Sequence, residues 1–198
     1  MISEQPRKDT RISRTPARVN QKLTLQWCLV AGYVAVMFAL VPFALTLWTW
    51  LYQRFGLLFL YLIPGIGLML FILLCSLILS GEKTRRMHKL TLLTAIFAGY
   101  GFLFHFFIQA PLEHFHLLEY GLLSYILYQP LSANSSCERI LVRVILLLMI
   151  VGVADEIIQW ILPYRCFDMR DIFLNSVSGI LGFFLTCLVD QPRPGEGT

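Results

Sequence analysis

Long apolar runs alternate with short polar breaks along the chain, and six of the runs are near the ~20 residues that a helix needs to cross a ~30 Å hydrocarbon core. They predict helices over about 25–51, 55–79, 90–108, 112–128, 140–162 and 171–189. The first carries Pro42 inside it and Trp48, Trp50 and Tyr52 at its far end, where an interfacial aromatic belt is expected. The second is interrupted by Pro64-Gly65, which predicts a kink. The fourth is short and polar at its start. The fold class is therefore an all-α membrane protein of about six transmembrane helices. Its organisation is a basic tail (1–22), two N-terminal helices (23–89), a four-helix membrane domain (90–190) and a short C-terminal tail (191–198).

Composition agrees with the pattern. Of the 198 residues 57% are hydrophobic and 14% charged, against about 25% charge in a soluble domain. This leaves no room for a separate soluble domain, and no solenoid repeat or low-complexity stretch is visible. The five cysteines show no CxxC or Cys/His ligand spacing, so no metal site, redox pair or other cofactor is indicated. Nucleic acid is not an expected partner.

Charge placement sets the orientation. With the N-terminus inside, the cytoplasmic side holds the basic tail, Lys83, Arg85, Arg86 and Lys89, then Arg139, Arg143 and Arg193. Of the 16 basic residues only Arg54, Arg165 and Arg170 fall outside, and that bias predicts an N-in/C-in topology. A transit peptide is disfavoured by Glu4 and Asp9, and the first apolar run is too long for a cleaved signal. Cys166 is then the only cysteine in an outer loop, which excludes an intramolecular disulfide there. The sequon Asn134-Ser135-Ser136 falls on the cytoplasmic side, where it would not be glycosylated.

Against this background one stretch, 155–182, is conspicuously polar. Asp155, Glu156 and Gln159 close the fifth apolar run, Arg165, Asp168, Arg170 and Asp171 fill the break, and Asn175, Ser178, Gly179 and Gly182 open the sixth. Each ionisable group at a helix centre costs roughly 2.5–3.5 kcal/mol on insertion scales, and less near the interface. The fourth run adds Glu113, His116 and Tyr120 on one face at i, i+3, i+7, with Glu119 beside them and Ser124 one turn deeper. In the fifth run Glu156 and Gln159 share a face at i, i+3. In the sixth Asp171, Asn175 and Gly179 repeat at i, i+4, with Asp168 three residues before them.

Structural roles account for some of these residues singly. Asp171 suits a helix N-terminus, Arg165 suits an ion pair with Asp168 or Glu156, the small residues suit close helix packing, and His105 suits a hydrogen-bonded core histidine. As a set, Glu113, His116, Glu119, Tyr120, Asp155, Glu156, Gln159, Arg165, Asp168, Asp171 and Asn175 predict one ligand-binding pocket on the outer side. His116, Glu119 and Glu156 are the candidates for acid–base catalysis.

Two blocks carry a resemblance. Pro111-x-Glu113-x-x-His116-x-x-Glu119-Tyr120-x-x-Leu123 and Asp155-Glu156-x-x-Gln159, followed by Pro163-x-Arg165, Asp168, Arg170-Asp171, Asn175, Gly179 and Gly182, resemble the VanZ-like family of small bacterial membrane proteins. The likeness covers about 90–187 and leaves the first two helices outside. It departs at His114, where related sequences often have a plain basic residue; a histidine is charged only part of the time.

The resemblance implies a multi-pass protein of the bacterial inner membrane, in a family named for a protein associated with resistance to a glycopeptide antibiotic of the teicoplanin type. The expected function is to bind or modulate a lipid headgroup, glycolipid or cell-wall precursor at the outer pocket. Arg165 would face phosphate or carboxylate, and His116, Tyr120, Gln159 and Asn175 would hydrogen-bond. The alternative is an enzyme acting on such a lipid through His116 and Glu156. A transporter is less favoured, because coupling sites lie near the midplane and these carboxylates cluster near one surface.

Overall fold

The computed structural model describes residues 16–56, 58, 61–80, 86–108, 113–132, 137–163 and 165–190, and these form six helices and no strands. They are α1 (Pro16–Phe55), α2 (Leu62–Ser80), α3 (Arg86–Phe106), α4 (Glu113–Leu131), α5 (Cys137–Ile161) and α6 (Met169–Val189). Helices are what apolar solvent demands, since every backbone N–H and C=O must find its partner within the segment. The predicted sequon at 134–136, the ends of both tails and the loop lysine Lys83 lie outside the described residues.

Local chemistry sets the boundaries. Pro16 opens α1, where its missing N–H is no loss. Gly56, at φ 57°, stops α1 in the left-handed region, and its N–H donates to the Tyr52 carbonyl at 2.7 Å. At the Pro64-Gly65 interruption α2 begins at Leu62, after a turn at Tyr61, so Pro64 sits in its first turn, where proline removes no helical hydrogen bond; residues 57, 59 and 60 before it lie outside the described ones. At α6 the cap is Asp168, extended at φ −128° and ψ 111°, whose side chain accepts from the Arg170 N–H at 2.8 Å. Asp171 follows in the first turn.

Three helices, α1, α3 and α6, are long and apolar enough by length and composition to cross a membrane. The most hydrophobic window of α6 is 50% buried inside the protein and that of α1 only 11%. Leu29, Val36 and Phe43 of α1 and Leu68, Met69 and Ile72 of α2 are exposed, as side chains facing lipid would be. Helix α5, at 25 residues, is long enough, but Glu138, Arg139 and Arg143 crowd one end and Asp155 and Glu156 the other. The protein is a helical membrane protein whose ionisable residues are concentrated at helix ends.

Helix α6 is the hub, packed against α3, α4 and α5, while α1 lies on α4 and α5 and α2 leans on α3. Lipid supplies no hydrophobic force between helices, so close packing and hydrogen bonds must hold them. The small residues provide both. A Cβ on Gly182 would lie 2.7 Å from the Gly121 carbonyl oxygen and 2.8 Å from its Cα, so α4 and α6 touch backbone to backbone. One turn earlier the Ser178 hydroxyl donates to the Leu117 carbonyl at 2.8 Å, and the Tyr100 hydroxyl of α3 donates to the Ser178 carbonyl at 2.9 Å. Beneath these contacts Leu123, Leu127, Val144, Leu148 and Phe183 form the dry core.

Candidate functional site

The close approach of α4 and α6 brings the polar ends of α4, α5 and α6 together, and the clustered residues divide into three groups. The first lines a cavity of about 210 Å³. His116 and Glu119 of α4, Asp155 and Gln159 of α5, and Arg165 of the following loop make its polar wall. Met37, Leu40, Ala44, Trp48 and Leu51 of α1 contribute the opposite, apolar wall. A larger cleft of about 680 Å³ between α1 and α4 holds none of these ionisable residues, and its Leu29, Val36 and Tyr125 are exposed. It is an open, largely apolar groove with no ionisable cluster in its lining.

The polar wall is braced by side-chain hydrogen bonds. The Gln159 amide donates to Asp155 Oδ2 at 3.2 Å, and its Oε1 accepts from Arg165 Nε at 2.9 Å and from Arg165 Nη2. A row of Arg165, Gln159 and Asp155 thus runs along the cavity with the amide holding both ends. His116 Nδ1 lies 3.5 Å from Glu119 Oε2, which is an ion-pair distance and longer than an ordinary hydrogen bond. The Glu119 backbone carbonyl accepts from the Tyr33 hydroxyl at 3.0 Å, which ties α1 to this wall.

The second group is an ion cluster centred on Arg170. Its Nη2 lies 2.6 Å from Glu113 Oε1, 3.4 Å from Asp168 Oδ2 and 3.6 Å from Asp171 Oδ1, and its Nη1 donates to the Phe107 carbonyl at 3.2 Å. Glu113 and Asp171 are buried, and a buried carboxylate needs a charge-assisted partner. This cluster joins the end of α3 to the starts of α4 and α6.

The third group lies behind the cavity, between α4, α5 and α6. Tyr120, Ser124, Glu156 and Asn175 are each 0% exposed. Glu156 Oε2 accepts from the Asp168 backbone N–H at 2.9 Å. Among the described residues no hydrogen-bond partner meets Glu156 Oε1 or Ser124 Oγ, and the Tyr120 hydroxyl and the Asn175 amide have only each other at hand. Gly152 makes room beside them: a Cβ there would lie 3.8 Å from the Tyr120 hydroxyl and 3.9 Å from Asn175 Cβ. Polar groups buried in this way are met by ordered water or by a guest molecule.

Several expectations need correction. Glu156 and Gln159 do not work one face together: Asp155 and Gln159, at i, i+4, turn to the cavity, while Glu156, about 100° around the helix, turns to α6. Arg165 pairs with Gln159, not with Asp168 or Glu156. His105 is exposed on the last turn of α3, its ring edge-on to Phe106 at 4.7 Å, and is no core histidine. Of the aromatic residues at the far end of α1, Trp50 is exposed while Trp48 turns inward, stacked on Tyr52 at 6.2 Å and edge-on to Phe115 at 6.0 Å. His114 packs against Phe104 at 4.7 Å.

Arg170 and the α1 wall were absent from the candidate set. Arg170 was legible as the one cation flanked by Asp168 and Asp171 in the break. The inward face of α1 had no such signal, because all of its faces are apolar. Among the described residues no three His, Cys, Asp or Glu side chains are arranged to hold a metal ion.

No curated protein and no solved structure matches this chain. A family model described as VanZ/LLP1 matches residues 7–190. The match takes in α1 and α2, which the two motif blocks had left outside, and it makes the wall facing the polar residues part of the shared sequence. The chain belongs to the VanZ/LLP1 family.

Proposed function

We propose that the protein binds or modulates an amphiphilic envelope component (a membrane lipid, glycolipid or cell-wall precursor) by taking its polar head into the cavity between α1 and the α4–α5 wall. The observation that carries the reading is the pairing of walls: an apolar helix faces a hydrogen-bonded row of polar and charged side chains across about 210 Å³. A ligand with an apolar stem and a polar head matches both walls; a wholly apolar or wholly polar one matches only one. The basic residues outside this cluster favour an N-in/C-in arrangement of six spans in the bacterial inner membrane, with the cavity on the extracytoplasmic side. Family membership gives a general link to the cell envelope and to glycopeptide resistance.

The test is to fill the cavity. Protein purified in nanodiscs of native envelope lipid is expected to release a retained lipid in native mass spectrometry, and Ala44→Trp is expected to lose it while keeping its helical content. Equal retention by Ala44→Trp and by Gln159→Leu would sink the proposal.

A second reading, an enzyme acting on the bound lipid, is favoured by one observation: His116 and Glu119 are paired at 3.5 Å and line the same cavity. Glu156 is outside that lining, which narrows the acid–base candidates to the other two. On this reading the envelope lipid profile changes in cells carrying His116→Ala. A profile matching wild type leaves binding alone.

A further inference from the structure

The chemistry of the polar wall narrows the class of head that fits it. Three kinds of head are available in principle: anionic, cationic, and neutral but rich in hydroxyls. Asp155 and Glu119 both line the cavity, so an anion would enter against two carboxylates. Arg165 lines it too, with Nε and Nη2 held on Gln159, so a cation would meet a fixed guanidinium. Charged heads also carry only acceptors or only donors in their ionic part, whereas this wall presents both.

Hydroxyl groups donate and accept at once. Along the row from Arg165 through Gln159 to Asp155 a donor and an acceptor are held apart by the intervening amide, which suits neighbouring hydroxyls on one ring. His116, nine-tenths buried and lining the same space, adds a nitrogen that can serve in either sense. Opposite stands Trp48, stacked on Tyr52 at 6.2 Å and edge-on to Phe115 at 6.0 Å. An aromatic wall across from carboxylate, amide and guanidinium suits the apolar face and polar rim of a sugar. The volume is consistent as well: about 210 Å³ has room for a single six-membered ring.

We infer that the cavity takes an uncharged monosaccharide head carried on a lipid, with the ring between Trp48 and the Arg165–Gln159–Asp155 row. The inference rests on the lipid-binding reading above and specifies it; it replaces the phosphate or carboxylate first expected opposite Arg165.

The experiment uses the full chain in phosphatidylcholine nanodiscs, because sugar-headed detergents would compete. Three lipids with the same acyl chains are added in turn: a monohexosyl diacylglycerol, phosphatidylglycerol, and a diacyl trimethylammonium lipid. Tryptophan emission and thermal stability are read for each. The hexosyl lipid is expected to bind at least tenfold more tightly than either charged lipid and to raise the melting temperature. Asp155→Asn and Trp48→Leu are each expected to weaken it about tenfold, and Trp48→Phe, which keeps the ring, less. The variants' own melting temperatures in plain phosphatidylcholine show whether they fold. If a charged lipid binds more tightly and that binding is lost in Ala44→Trp, the sugar is wrong and the lipid-binding reading stands. If none of the three binds and native lipid is not retained, both fall.

Discussion

Arg170 and Glu113 meet at 2.6 Å, with the Glu113 side chain 8% exposed. Removing one member of such a pair leaves the other buried and uncompensated, a loss of about 3–5 kcal/mol in buried pairs. Arg170→Met is accordingly expected to lower stability by about 3 kcal/mol, and Arg170→Met with Glu113→Gln is expected to recover part of it. Reversible unfolding in detergent measures both. Asp168 gives a smaller effect of different origin. Asp168→Ala loses the α6 cap, worth about 1 kcal/mol, whereas Asp168→Asn keeps the capping oxygen and stays near wild type. At this scale the sequence was informative about which residues cluster and less so about which pairs form. Periodicity brought Glu113, His116 and Tyr120 to one side of α4, but it could not separate Asp155 from Glu156. Adjacent positions on a helix point about 100° apart, and which of them meets the cavity depends on where α1 and α6 lie.

The packing of α6 on α4 and on α5 is set by two glycines whose neighbours differ. At Gly182 a methyl would strike the Gly121 backbone at 2.7 Å, and backbone cannot yield without moving a helix. At Gly179 the obstacle is Leu148 Cδ1 at 2.3 Å, the end of a side chain with other rotamers. Gly182→Ala is therefore expected to cost about 2–3 kcal/mol and Gly179→Ala about 1, within the range for overpacked cores. The reverse order in a stability measurement would mean that α4 and α6 do not touch at this point. Helix existence was legible throughout because long apolar runs leave the backbone no alternative. Where α2 starts relative to Pro64 was harder to read, for a physical reason. Proline breaks a helix in its interior and is accepted in its first turn, and the apolar residues on either side look alike in sequence.

For the molecule as a whole the proposed N-in/C-in topology puts the cavity on the extracytoplasmic side. Cys166 is exposed and a free thiol in the loop that supplies Arg165. In a background retaining only this cysteine, an impermeant maleimide is expected to label intact cells; labelling only after lysis would put the cavity in the cytoplasm. The role of α1 was the least legible feature of all. An apolar helix announces that it meets something apolar, but lipid and protein are equivalent to it, and only the packed molecule distinguishes them.

The Arg170 cluster holds the end of α3 and the starts of α4 and α6 at one level along the membrane normal. Sliding any of the three by a turn, about 5.4 Å, would pull a carboxylate or carbonyl from the guanidinium. In bilayers of different thickness these helices are thus denied the adjustment of shifting past one another. They must tilt as a unit, or the bilayer must thin or thicken around them. The depth of the polar wall is then coupled to membrane thickness, so lipid chain length becomes a control on what the cavity can reach.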